Sequence, residues 1–264
     1  SVVQTVLMTA RNAVDLYADP ADRLLLSARW ASALHRLAHE AEPGSDEQLA
    51  FTRAWVSSVA SAEHVEELRS LLATEDGGAI LPGLTVDTDL RWSLLHRLVI
   101  VGEAGDGAID AELERDNTAT GRRRAAYARA ARPTTEAKAT AWSQAVESDQ
   151  LPNAILAATV SGFAHPEQRQ FIRPYVQRYL DAVPKVWAER TNESAQTIIT
   201  RLFPRVLAEA ETAETVRAWL EAVELPAAPR RLVIEGLADI ERALRAQACD
   251  REAAAHERDH HVPA

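Results

Sequence analysis

The sequence predicts an all-α fold, and three observations carry that prediction. Alanine, leucine, arginine and glutamate dominate the 264 residues, while the chain holds 10 glycines and 5% aromatic residues. These are good helix formers, and the β-branched and aromatic richness of a sheet is lacking. Apolar residues recur at three- and four-residue spacing, with no stretch that alternates like a strand. Short loops marked by proline or glycine separate the periodic segments. About fourteen helices fit between those loops. Antiparallel helix pairs of this length stack into an α/α superhelix. No strict sequence period is visible, so HEAT- or armadillo-like regularity is expected to be loose.

The first helix is expected over about Val2 to Tyr17. Asp19-Pro20 opens the second, with Asp as N-cap and Pro at the first helical position. Its apolar stripe is Leu26, Trp30, Ala33, Leu34 and Leu37. After Pro43-Gly44, Ser45 and Gln48 form a capping-box pattern for a helix carrying Leu49, Trp55, Val56 and Val59. A shorter helix follows over about Ala62 to Ala73. The loop from Thr74 to Thr88, with Gly77-Gly78 and Pro82-Gly83, is the longest early interruption.

That loop leads into the strongest helix, within Leu81 to Gly102. Asp87 and Asp89 are natural N-caps, because a carboxylate accepts the free N–H groups and favours the positive end of the dipole. Gly102 is a natural stop. Leu90, Leu94, Leu98 and Val101 fall within roughly 80° of one another. Arg91 projects on the same side, in the first turn, where the dipole disfavours a cation. A buried, unpaired guanidinium costs several kcal/mol, so a carboxylate partner is expected, with Asp87 the local candidate. One reading makes Arg91 a structural ion-pair member; the other makes Arg91 and the adjacent Trp92 an interdomain or substrate-chamber contact.

The second half repeats the style. Asp106 to Arg115 reads as a short helix; Thr118 or Thr120 begins another that Pro133 ends; Thr134 caps a third through Trp142 and Val146. Pro152 to Phe163 is apolar almost all round, the mark of a helix buried on both sides. Pro166 opens a segment in which Pro174 is a kink or a true start. Pro184 is expected to lead to a turn bearing Trp187. Asn192 caps a helix closed by Pro204, Thr212 begins the next, and Pro229 starts the last. Leu81-Pro82, Leu151-Pro152 and Leu225-Pro226 each precede a helix. A single domain over residues 1–249 is expected, with a polar, frayed tail over 250–264.

Composition bounds the function. A net charge of −10 argues against a nucleic-acid partner. One cysteine, Cys249, rules out an internal disulfide framework and fits a reducing, cytoplasmic setting. No apolar run approaches the roughly 20 residues that span a bilayer. The start, SVVQTVLMTARNAV, lacks the basic opening and cleavage site of a signal peptide. Met8 is the only methionine, so Ser1 is read as a processed end or the start of a piece of a longer protein.

Catalytic motifs are wanting. His35 and His39 have the spacing of a zinc-binding helix, but Arg36 stands where the catalytic Glu belongs, and both rings are expected on the solvent side. Ser58 occupies the position of a third ligand. His256, His260 and His261 form a polar end able to collect metal adventitiously. No GxSxG elbow, phosphate loop or DDxxD occurs. Arg122-Arg123-Arg124 reads as a solvated helix face. The six tryptophans sit mostly at core spacings rather than on one stacking surface. No catalytic and no metal-ligating residue is assigned within the chain.

Several segments in order resemble one family. They are Pro43-Gly44-Ser45-Asp46-Glu47-Gln48-Leu49-Ala50, Leu81-Pro82-Gly83-Leu84, Asp89-Leu90-Arg91-Trp92-Ser93-Leu94-Leu95, and Asp116-Asn117-Thr118-Ala119-Thr120-Gly121. Arg132-Pro133-Thr134 through Lys138 to Trp142, and Tyr179 through Trp187 to Leu202-Phe203-Pro204, continue the series. Together they look like the C-terminal helical domain of aminopeptidase N-type zinc aminopeptidases, most of all the Ala/Arg-rich bacterial members. The resemblance runs to about Arg245.

The resemblance implies a bowl-like helical domain that closes against a catalytic domain of the same polypeptide and restricts access to peptide substrates. It implies zinc in that parent, held by HExxH and a downstream Glu, and a GAMEN-like motif for the peptide N-terminus. None of these occurs here, so no cofactor and no catalytic residue is carried over, and the chain alone is expected to be inert. Arg91 and Trp92 match the family pattern without revealing their role. The alternative is a free-standing α-solenoid that binds a protein partner.

Overall fold

The computed structural model describes residues 2–260, and among them the fold is all-α. Fourteen α-helices follow one another: α1 (Val2–Asn12), α2 (Arg23–Glu40), α3 (Asp46–Ser58), α4 (Ala62–Leu72), α5 (Thr88–Ile100), α6 (Asp106–Arg115), α7 (Ala119–Ala131), α8 (Thr135–Trp142), α9 (Asn153–Gly162), α10 (Arg169–Ile172), α11 (Tyr175–Glu189), α12 (Asn192–Arg201), α13 (Ala210–Ala222) and α14 (Ala227–His260). Among the described residues the β-type pairing is one isolated bridge, Asp76 with Thr85, in the loop before α5.

Where capping chemistry is explicit, the helices begin as expected. Ser45 Oγ accepts the Gln48 N–H at 3.1 Å, while the Gln48 amide oxygen accepts the Gly44 N–H at 2.8 Å. Thr118 and Thr134 cap α7 and α8 in the same manner, at 3.0 and 3.1 Å. Each hydroxyl or amide satisfies an N–H that the first helical turn leaves open. Gly102, with φ +85°, ends the run after α5 in the left-handed conformation that glycine takes most readily.

Three expectations about elements need correction. Asp19 does not cap α2. The helix starts at Arg23, and Asp19 instead receives the Arg251 guanidinium at 2.9 Å and gives its own N–H to the Asp250 carboxylate at 2.8 Å. Asn192 is not the cap of α12; Thr191 is, one residue earlier, its hydroxyl accepting the Ser194 N–H. Pro184 does not break the chain: α11 continues to Glu189, because Tyr175, Tyr179, Leu180, Val183 and Val186 form one buried face that spans the proline. Burial of that face outweighs the roughly 3 kcal/mol a helical proline costs. Residues after Asp250 continue α14 to His260, with Asp250 and Arg251 held by Asp19. His261 lies outside the described residues.

The contacts divide the described residues into two compact units. The first takes the described residues of Ser1–Leu98 and Arg245–Ala264. There α2 packs on α3, and Leu34, Ala38, Trp55, Val56, Leu68 and Leu71 are buried. The second is Val99–Leu244. There α7 packs on α9, α9 on α12, and α11 on α12. An aromatic group of Trp142, Phe163 and Tyr175, with ring centres 5.0 to 6.1 Å apart, anchors its interior.

Candidate functional site

Asp87 spends its carboxylate on the Leu90 N–H, at 2.7 Å, as the N-cap of α5. Arg91 is half-buried, and its Nη1 donates to the Leu72 carbonyl at 2.8 Å, at the end of α4. A cation there offsets the negative end of the α4 dipole. Trp92 is fully buried, with its ring 5.6 Å from that of His96. It therefore packs in the interior of this chain. The deeply buried arginine of this helix is Arg97, 4% exposed, whose Nε donates to the Val59 carbonyl at 2.6 Å. At 100° per residue Arg97 lies about 20° outside Leu90 and Arg91 about 20° outside Leu98, so the wheel puts both at the edges of the stripe and does not choose between them.

In the first unit a histidine cluster forms that the sequence did not reveal. His35 on α2 is half-buried, and its Nε2 lies 2.8 Å from Glu67 Oε2 on α4. Its ring stacks on that of His64, centres 4.8 Å apart, and sits 4.9 Å from the buried Trp55 indole. Burial, and then the neighbouring His35, hold the His64 ring below its ordinary pKa. His39 is exposed as expected, its Nδ1 engaged at 2.8 Å with the His35 carbonyl. His35 is not on the solvent side, because α4 covers it. Spacing within α2 could not show this, since the partners arrive from 29 and 32 residues away.

The second unit holds a cavity of about 500 Å³ among α7, α8 and α9. Arg122, Arg129, Arg132, Asp106, Glu136 and Gln144 line it. Arg132 pairs with Asp106, and Arg129 with Asp110 at 2.6 Å. Arg122, from the arginine triplet, meets the Asn117 amide oxygen at 3.4 Å rather than a carboxylate. Arg124 turns the other way, 3.6 Å from Asp116. The triplet is thus part solvated face and part cavity wall. Lys138 lies beneath, wholly buried, donating to the Ala130 carbonyl at 2.7 Å and standing 5.6 Å over the Phe163 ring. Burial lowers its ammonium pKa to about 7.

These places offer ion pairing and hydrogen bonding, and no nucleophile–base pair is assembled at them. Cys249 is exposed on α14. Among the described residues no helix is long and apolar enough to cross a membrane. The profile of the ERAP1-like C-terminal domain family matches residues 1–242. Over 253 residues the chain is 47% identical to a Streptomyces lividans protein named aminopeptidase N. That match covers 96% of this chain and 29% of the relative, in its C-terminal part. The chain thus spans under a third of that relative's length.

Proposed function

The chain belongs to the ERAP1-like C-terminal domain family, and from that premise we propose that it is the substrate-enclosing, regulatory C-terminal domain of a zinc-dependent aminopeptidase. The observation that carries the reading is the extent of the match: nearly all of this chain against the C-terminal 29% of an aminopeptidase N. In this reading the catalytic domain of the same polypeptide is the partner, and it holds the zinc through residues outside this sequence. Peptides are the substrates, shortened from their N-termini. The chain's own part is to wall a chamber with helices and to meet the peptide away from the reacting bond. The Arg122 side of the cavity suits that work, because its guanidinium has no carboxylate partner among the described residues. A reducing, cytoplasmic setting fits the single exposed cysteine.

The test has two parts. The reading frame ahead of Ser1 is expected to encode HExxH with a downstream glutamate; a start codon directly before Ser1 overturns the proposal. The purified 264-residue chain is expected to leave an aminoacyl-arylamide intact, while the full polypeptide cleaves it in a chelator-sensitive way. Zinc-dependent cleavage by the chain alone overturns the claim that it is inert.

A further inference from the structure

We propose that His35, His64 and Glu67 form a binding site for a borderline divalent transition-metal ion, zinc in the first place, that ties α2 to α4. The three side chains each offer one ligand atom, and these atoms lie within 4.8 Å of one another. One residue comes from α2. The other two are three apart on α4, a spacing that puts them on one helix face. The set is two imidazole nitrogens and one carboxylate oxygen, which suits zinc, cobalt, nickel or copper and disfavours the all-oxygen ions calcium and magnesium.

The geometry is close to what such an ion requires. Zinc–nitrogen and zinc–oxygen bonds of ~2.1 Å in a tetrahedron place ligand atoms ~3.4 Å apart. His35 Nε2 and Glu67 Oε2, at 2.8 Å, are already inside that separation. His64 closes the remaining gap by side-chain rotation, and its ring makes no hydrogen bond with another described residue that would resist it. The Trp55 indole, 4.9 Å from His35 and 5.6 Å from His64, walls one side of the cluster against water. With the ion on Nε2, the neutral His35 ring carries its proton on Nδ1, and any proton displaced from the Nε2–Glu67 contact moves to Nδ1 or is released to solvent. The fourth position is left to water. His39 stands beside His35, with ring centres 4.2 Å apart.

The experiment titrates zinc and cobalt(II) into the metal-free 264-residue chain, following heat, cobalt visible absorption and thermal melting. The reference protein carries His256→Ala, His260→Ala and His261→Ala, which removes adventitious binding by the terminal histidines. The reference is expected to bind one zinc, to melt higher with zinc present, and to give the intense absorption of four-coordinate cobalt. Adding His64→Ala or the near-isosteric Glu67→Gln is expected to weaken zinc binding by more than about tenfold, with the far-ultraviolet helical signal retained, and to abolish the zinc-dependent rise in melting temperature. The proposal is overturned if the reference binds no zinc, or if both additional variants bind as well as the reference.

Discussion

Lys138 Nζ reaches the Ala130 carbonyl, eight residues back and at the end of the preceding helix, and it does so from a fully buried position. Burial drops the ammonium from the ordinary 10.5 to about 7. Between those values the unfolded chain holds a proton that the folded chain lacks. Stability should therefore rise with pH across about 7 to 10.5, by up to ~1.4 kcal/mol per pH unit from this group. Below pH 7 both states are protonated, and the cost of burying the charge is present in full. Lys138→Met removes the contribution. Urea unfolding at pH 7 and pH 9 should show a wild-type-minus-variant difference that grows with pH; parallel profiles contradict it.

Gln168 closes two helix ends at once. Its Nε2 donates to the Ile100 carbonyl at 2.8 Å and to the Ala131 carbonyl at 2.7 Å, at the ends of α5 and α7. All three groups lie in the second unit, and the side chain is 1% exposed. Gln168→Leu keeps the bulk and leaves two carbonyls unsatisfied. A loss of about 2 kcal/mol is expected in chemical denaturation, since orphaned buried acceptors carry their full desolvation cost.

Gly162 lets α9 approach the backbone of α7 closely. A Cβ there would stand 2.2 Å from the Tyr127 carbonyl oxygen, a backbone atom that no rotamer change moves aside. Gly162→Ala should cost about 2 kcal/mol or more, against the gain alanine brings to an exposed helix position. A melting temperature equal to that of wild type would refute the close packing.

Arg91→Ala distinguishes support from substrate contact. Loss of the bond to Leu72 O should lower stability by about 2 kcal/mol, the scale of a charge-assisted hydrogen bond. In the full polypeptide, turnover per folded molecule should stay within about twofold. Unchanged melting with a fall in peptide turnover would place Arg91 at the substrate instead.

Arg122→Glu tests the enclosing role. In the full polypeptide the variant should slow cleavage of long peptides several-fold and leave a single-residue arylamide nearly unaffected, because the proposed function has only a long substrate meeting the cavity that Arg122 lines. Equal effects on both substrates would contradict the reading.

The capping residues were legible in the sequence because they act locally. Ser45, Thr118, Thr134 and Asp87 each bond a backbone N–H within three residues. Pro174 was legible as a start or a kink, and it stands directly before α11. Arg91 was read for its charge and Trp92 for its place in a family pattern. Their surroundings were not legible: Leu72 is 19 residues from Arg91, and the buried Arg97 finds its carbonyl 38 residues away.

What the sequence by itself determined is the all-α class, the approximate helix count and the family. Helix propensity, capping and turn chemistry are short-range, and the ordered motifs persist along the chain. What only the tertiary structure decided is which polar side chains meet. His35 gains Glu67 and His64 from another helix, Lys138 is enclosed without a carboxylate among its contacts, and Arg122 faces a cavity while Arg124 faces Asp116. These outcomes depend on how helices far apart in the chain pack together, and no local spacing encodes that.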